Sequence, residues 1–376
     1  MGEKSSIEWT DHTFNPWWGC TRVSPGCVHC YAETFDKRVH GKDRAHWGVK
    51  AGRRFFGDKH WNEPLRWNAS AAKAGVRERV FCASMADVFE DRPELVEHRA
   101  RLFALILATP SLDWLLLTKR PEKMVRLAEE AGWEGDWPSN VWAGCTVEDQ
   151  QRADERIPEL LLVPAAVRFL SCEPLIGAVD LGLSTATCRC CPRWPSRWVR
   201  LFHTVRSDWP GIIKPDMTAE PGIYRAASNP HGALSVQTPS GLLGIKPAEF
   251  DCLPRIDWVI CGGESGAGAR PMHPDWARSL RDQCSAAGVA FFFKQWGEHA
   301  PIGPLSARKI VLASDGTTYT ESELASPAGP RRGEAVRADH HRAHLTLMYR
   351  VGKHAAGRLL DGRTWDELPT PEVAHA

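Results

Sequence analysis

Three cysteines stand close together near the start of the chain, Cys20, Cys27 and Cys30, in the stretch WWGCTRVSPGCVHCYAE. Their spacing is C-x6-C-x2-C, and Tyr31 follows the last of them. Three thiolates with no fourth cysteine nearby suit a 4Fe–4S cluster that keeps one iron open for a substrate or cofactor. A closed structural site takes four protein ligands. Zinc is the rival, because C-x2-C is a common half-site and His29 or a distant side chain could complete it. Against zinc stands the lack of a matching second C-x2-C or H-x3-H pair at usable spacing.

The segments that must position this loop repeat a rhythm. RVFCASMADVF (79–89), DWLLLTKRPEKM (113–124), NVWAGCTVEDQ (140–150), VRFLSCEPLIG (167–177), IDWVICGGESG (256–266) and GVAFFFKQWGE (288–298) are apolar runs that end in polar residues. Helical patterns lie between most of them, at 92–109, 121–131, 147–163 and 273–288. Strand–helix alternation of this kind implies a parallel sheet, and the missing in–out alternation implies strands covered on both faces. A further strand ahead of Cys20 brings the expected number to about seven, the scale of a full or partial (β/α) barrel. The expected organisation is α/β. Residues 1–182 form the first part of the barrel, 183–250 an insertion rich in Pro, Ser, Arg and Trp, 251–300 the last part, and 301–376 a loosely patterned C-terminal extension.

Barrels of this type gather functional residues at the carboxyl ends of their strands. Those ends carry Ser84, Asp87, Thr118, Lys119, Arg120, Thr146, Glu148, Glu173, Glu264, Ser265, Lys294 and Gln295. Some of these are expected merely to cap the following helix. Cys82, Cys145, Cys172 and Cys261 also fall near strand ends; such cysteines are most often small buried hydrophobes, and Cys172, beside Glu173, is the one singled out as a catalytic candidate. CGGESGAGARP (261–271) is neither G-x-G-x-x-G nor a P-loop. It reads either as a ligand loop or as a tight strand-to-helix turn. Cys188, Cys190 and Cys191 match no common metal spacing, and HHRAH (340–344) lacks the glutamate of a metalloprotease motif and reads as a surface helix.

The chain has 376 residues, 43% of them hydrophobic, and a formal net charge of +1, so any nucleic-acid surface must be a local patch. Residues 37–67 supply one, with nine Lys/Arg against three Asp/Glu and Trp47, Phe55, Phe56, Trp61 and Trp67 interleaved. Base stacking over a basic segment is one reading and a solvated loop with aromatic anchors the other. Seventeen tryptophans against four tyrosines are read mainly as core packing. Twelve cysteines in a long chain without an apolar leader indicate a soluble, cytoplasmic protein of a reducing compartment, and no apolar run approaches membrane-spanning length. No nucleophile elbow or paired-carboxylate motif points to a hydrolase.

A three-cysteine loop after the first strand of a (β/α) barrel resembles the radical S-adenosylmethionine superfamily. The first gap is longer than that superfamily's usual C-x3-C-x2-C, and His29 takes the place of the usual aromatic. The segments IEWTDHTFNPWWGC, WLLLTKRPEKM, RFLSCEPL, DWVICGGESG, ARPMHPDW, FFFKQWGE and GRLLDGRTWDELP resemble an uncharacterised phage and bacterial protein family. That family is described as radical-SAM-like and is often encoded beside a three-Cys-motif partner protein.

The resemblance implies that Cys20, Cys27 and Cys30 each hold one iron and that the fourth iron binds S-adenosylmethionine. One electron, supplied by an external donor, then cleaves the sulfonium to a 5′-deoxyadenosyl radical that abstracts hydrogen from substrate. On expected position, Ser84 and Asp87 serve the cofactor's ammonium, and Thr146, Glu148 and Glu264 are further cofactor contacts. Lys119, Cys172 and Glu173 are the catalytic candidates, with Lys119 pairing a carboxylate or substrate anion. A nucleic acid or nucleotide is the expected substrate. Two alternatives are a non-catalytic iron–sulfur or zinc nucleic-acid-binding protein and a phage or defence accessory protein acting with its partner.

Overall fold

A computed structural model describes residues 5–41, 43, 45–133, 135, 137–183, 234–238, 241–245, 255–325 and 344–369. Its main sheet has seven strands: β1 (His12–Thr13), β2 (Glu78–Cys82), β3 (Leu112–Thr118), β4 (Val141–Thr146), β5 (Val167–Cys172), β6 (Trp258–Gly262) and β7 (Ala290–Gln295). They stand side by side in chain order, and every neighbouring pair is parallel. The sheet curls into a half-barrel flanked by helices, with β1 and β7 left as its two edges. The expected partial (β/α) barrel is therefore the architecture found.

The strands are nearly continuous apolar runs because both faces are covered. One face packs on the helices α2 (Glu63–Ala74), α3 (Val96–Leu107), α4 (Met124–Glu130), α5 (Gln150–Leu161) and α6 (Pro274–Ala287), through residues such as Leu116, Ala143, Leu170 and Val259 against Leu102, Ile157 and Leu280, while α1 (Tyr31–His40) packs its Ala32 with Trp18 and Met85 in a separate small cluster. The opposite face carries Phe81, Leu115, Trp142, Phe169, Trp258, Ile260 and Phe292, filled by Trp9 from the N-terminal arm. Trp9 meets Phe81 edge-on at 4.7 Å, and Trp258 meets Trp142 and Phe292 edge-on at 6.2 and 6.1 Å. Trp9, Trp142 and Trp258 fill this interior with few, large rings, and Trp61, Trp67, Trp114, Trp133, Trp137, Trp276 and Trp296 are buried on the helix side, as a packing role requires.

Local signals place the helix ends. Asp149 caps α5 by accepting the Arg152 N–H at 2.8 Å, and Gly288 ends α6 in the left-handed conformation, where a side chain is disfavoured.

The insertion falls between β5 and β6. Within it the antiparallel hairpin Leu234–Thr238/Gly241–Ile245 is described; Cys188, Cys190 and Cys191 lie outside the described residues. The C-terminal extension is more regular than its pattern suggested. Strands β8 (His299–Ala300), β9 (Arg308–Ala313), β10 (Thr318–Thr320) and β11 (Leu345–Arg350) form an antiparallel sheet in the order β8-β11-β9-β10. His344 immediately precedes β11, so the expected surface helix does not include it; His340 and His341 lie outside the described residues.

The last described segment then returns to the barrel. The Phe293 N–H donates to the Trp365 carbonyl at 2.9 Å and the Glu367 N–H to the Phe291 carbonyl at 3.2 Å, covering the exposed edge of β7. Among the described residues, no helix is long and apolar enough to cross a membrane.

Candidate metal centre

The cysteine loop is built by sterics at one end and charge at the other. A two-residue ribbon pairs Trp17–Trp18 with Arg54–Phe55. The chain then turns at Gly19 with φ of +113°, where a Cβ would overlap the His46 carbonyl oxygen, so glycine is required. The Gly19 N–H donates to the Met85 carbonyl at 3.0 Å, which ties the loop beside the end of β2. Cys27 closes the short 3-10 turn Pro25–Cys27, and Cys30 is the N-cap of α1. All three cysteines are half-buried at the carboxyl ends of the parallel strands.

Groups from four strand ends, those of β2, β3, β4 and β6, hold this loop. After β3, Arg120 donates to the Thr21 carbonyl at 2.8 Å and reaches Cys20 Sγ at 3.8 Å. After β4, the Glu148 carboxylate accepts the Gly26 N–H at 3.3 Å, and a Cβ on Gly26 would stand 3.0 Å from it. After β6, Arg270 donates to the Pro25 carbonyl at 3.1 Å, and Gly268 leaves room for the His29 ring. After β2, the Ser84 carbonyl accepts the Tyr31 hydroxyl at 2.7 Å.

The glycine-rich stretch 261–271 is therefore packing ground. Gly262 admits the Glu173 carboxylate and Gly263 the Trp296 backbone, while Gly268 and Arg270 face the cysteine loop.

Behind Cys20 lies a buried set of four charges. Asp87 pairs with Arg120 at 2.6 Å, and Arg53 pairs with Glu90 through two hydrogen bonds of 2.9 and 2.8 Å. Arg53 also donates to Thr21 Oγ1 at 3.0 Å. Two carboxylates and two guanidinium groups balance, which is the condition for keeping charge out of water. Burial, with help from Asp87 and Glu90, pushes the Cys20 thiol up to about 12, and Arg120 works the other way. The Cys30 thiol is also raised by burial, opposed by the N–H groups of Glu33 and Ala32 at the start of α1. Without metal these two sulfurs hold their protons at neutral pH, and metal binding releases them.

Among the described residues, the trio of His, Cys, Asp or Glu whose ligand atoms lie within 4.8 Å of one another is Asp36, His40 and His46, not the cysteines. Three thiols on one loop are the donor set that a 4Fe–4S cluster with one open iron would use. In the Asp36 group the carboxylate already accepts the His46 N–H at 2.7 Å and faces His46 Nδ1 at 2.9 Å. The Arg54 guanidinium sits 3.0 Å from His40 Nε2. A built-in cation occupies that edge, and the group anchors α1 to the segment after it.

The strand-end residues expected to touch a cofactor divide into two sets. Asp87, Glu148 and Glu264 are buried and already engaged. Asp87 accepts from Thr118, Lys119, Phe89 and Arg120; Glu148 pairs with Arg156 at 2.8 Å; Glu264 takes the Arg270 fork at 2.9 and 2.6 Å. They position the cysteine loop and its supports. Ser84, Lys119 and Glu173 keep partial exposure: Lys119 donates to Thr146 Oγ1 at 3.2 Å, and Glu173 pairs with Lys294 at 3.0 Å. Cys172 is not with them. It is wholly buried in the helix-side core, where burial pushes its thiol well up, and Cys82, Cys145, Cys261 and Cys284 are buried in that same core.

The basic segment 37–67 is likewise revised. Trp61 and Trp67 are buried, and Arg53 is paired inside, so exposed rings are left at Phe55 on this segment and at Tyr31 and Phe35 on α1. Arg53, Glu90, Arg156 and Arg270 were not legible as site residues. Charged residues with no motif spacing around them carry no signal that separates a site role from a surface one.

No curated protein and no solved structure matches the chain. Residues 4–369 match DUF5131, described as a protein of unknown function, so nearly the whole chain, from the N-terminal arm to the segment covering β7, belongs to the DUF5131 family.

Proposed function

We propose that this chain is a cytoplasmic radical S-adenosylmethionine enzyme in which Cys20, Cys27 and Cys30 each hold one iron of a 4Fe–4S cluster. The observation that carries this reading is the placement of three half-buried thiols on one braced loop at the carboxyl ends of a parallel half-barrel. A cluster held there supplies the electron for reductive cleavage of S-adenosylmethionine at its open iron. The protein's share is position and exclusion of water. Arg120, Glu148 and Arg270 fix the loop, and the half-exposed Ser84, Lys119 and the Glu173–Lys294 pair are the polar groups left for the cofactor's ammonium, carboxylate and hydroxyls. The electron comes from an external donor, and a three-Cys-motif partner protein is the companion we assign on family resemblance.

The substrate class we assign is nucleic acid or nucleotide. Tyr31 and Phe35, 59% and 38% exposed, lie one helical turn apart beside Cys30, which suits stacking of a base at the mouth. The Tyr31 ring is held by its hydrogen bond to Ser84, and Arg38 lies over the Phe35 ring at 5.2 Å.

Anaerobic reconstitution tests the metal assignment. The wild-type protein is expected to take up about four irons and four sulfides per chain and to lose them when Cys20, Cys27 and Cys30 are all replaced by alanine. Binding of a single zinc with no inorganic sulfide would overturn the assignment.

A further inference from the structure

The three sulfurs of the loop have unequal surroundings. Cys30 opens α1 and faces the N–H groups of Ala32 and Glu33, and Cys27 Sγ lies 3.9 Å from Ser24 Oγ. Cys20 Sγ faces a guanidinium, with Arg120 Nη1 at 3.8 Å. That guanidinium is not free to drift. Its Nη1 is 2.6 Å from Asp87 Oδ2 and its Nη2 donates to the Thr21 carbonyl at 2.8 Å. Asp87 is fixed in turn by Thr118 Oγ1 at 2.7 Å and by the N–H groups of Phe89 and Lys119 at 3.0 and 3.2 Å. The side chains of Arg120 and Asp87 are only 8% and 7% exposed, so solvent screens the charge weakly.

From this geometry we infer that Arg120 sets how readily the metal centre ligated by Cys20 accepts an electron, and that Asp87 acts through it by fixing its position. The inference rests on the cluster assignment above and goes beyond it, because nothing about the three-cysteine pattern requires a charged donor at one sulfur. Reduction adds a negative charge to the cluster and its thiolates. A fixed positive donor against a ligand sulfur stabilises the reduced state more than the oxidised one and raises the potential. Arg120 is thus a positioning and tuning residue, distinct from the groups that would touch substrate.

The test is an EPR-monitored redox titration of the reconstituted wild-type, Arg120→Gln and Arg120→Lys proteins, each checked for equal iron and sulfide content. Glutamine keeps a donor for Asp87 but loses the charge; lysine keeps the charge. Arg120→Gln is expected to bind the electron about tenfold more weakly, a fall of about 59 mV for a one-electron couple. Arg120→Lys is expected to lie closer to wild type than to glutamine. Equal potentials in all three overturn the inference while leaving the cluster assignment intact, and a lysine variant that falls as far as glutamine overturns the role of charge. If glutamine does not fold, the lysine and Asp87→Asn variants decide. Asp87→Asn is then compared with Asp87→Asn/Arg120→Gln, which leaves no charge unpaired: the single variant, which keeps the guanidinium, should have the higher potential, and equal potentials overturn the inference. Failure of wild type to assemble any cluster overturns both readings together.

Discussion

Replacing Asp87 with alanine should destabilise the protein by about 3–5 kcal/mol, the usual cost of stranding one member of a buried ion pair. Asp87 and Arg120 are 2.6 Å apart and nearly shut off from water. With Asp87 gone, the nearest remaining carboxylate to Arg120 is Glu90 at 3.9 Å, which already serves Arg53. The double variant Asp87→Ala/Arg120→Met should recover most of the loss, because it leaves no unpaired charge behind. Urea unfolding of the three proteins measures this, and a single-variant loss below about 1 kcal/mol would contradict it.

The same pair predicts a pH dependence. Burial alone would raise the Asp87 carboxyl, but Arg120, the Thr118 hydroxyl and the N–H groups of Lys119 and Phe89 more than offset it and hold the carboxyl below its ordinary value. A depressed folded value means a stabilisation present above the unfolded value of about 3.9 and lost as pH falls through the folded one. The Asp87→Asn variant should therefore show a shallower loss of stability on acidification than wild type.

Gly144→Ala should cost about 1–3 kcal/mol by overpacking. Gly144 lies in the middle of β4, directly across from Phe169 on β5, and a Cβ there would overlap the phenyl ring. The ring cannot easily yield, since it is fully buried and packs on Trp258 at 5.8 Å. Gly144→Ala combined with Phe169→Leu should restore much of the thermal stability by vacating the space. A Gly144→Ala protein that melts with wild type would show that the aromatic face of the half-barrel is looser than its geometry indicates.

The parallel sheet was legible because its strands are apolar without alternation and each ends in a polar cluster before a helix; burial on both faces writes that pattern directly. The location of the site at those strand ends followed from the same reasoning. The roles within it did not. Asp87, Glu148 and Glu264 were expected to meet a cofactor, and the structure engages each with an arginine, Arg120 from the neighbouring strand end and Arg156 and Arg270 from a few residues further along the chain, and, through these contacts, with the cysteine loop. Carboxylates at a strand end look alike in sequence whether they face a ligand or a neighbouring arginine. The C-terminal sheet escaped notice for a different reason. Its strands include two- and three-residue pieces, too short for a period, and the return of Trp365 and Glu367 onto β7 depends on backbone hydrogen bonds that composition does not record.

On the function proposed above, three cysteines at the mouth of this half-barrel support reductive cleavage of S-adenosylmethionine. The most direct measurement is release of 5′-deoxyadenosine by the anaerobically reconstituted protein given dithionite and S-adenosylmethionine, with and without single-stranded oligonucleotide, beside the Cys20/Cys27/Cys30→Ala control. Release by wild type and not by the control is the predicted result. Wild type that carries a full cluster yet releases no more 5′-deoxyadenosine than the control, with oligonucleotide present or absent, would contradict it.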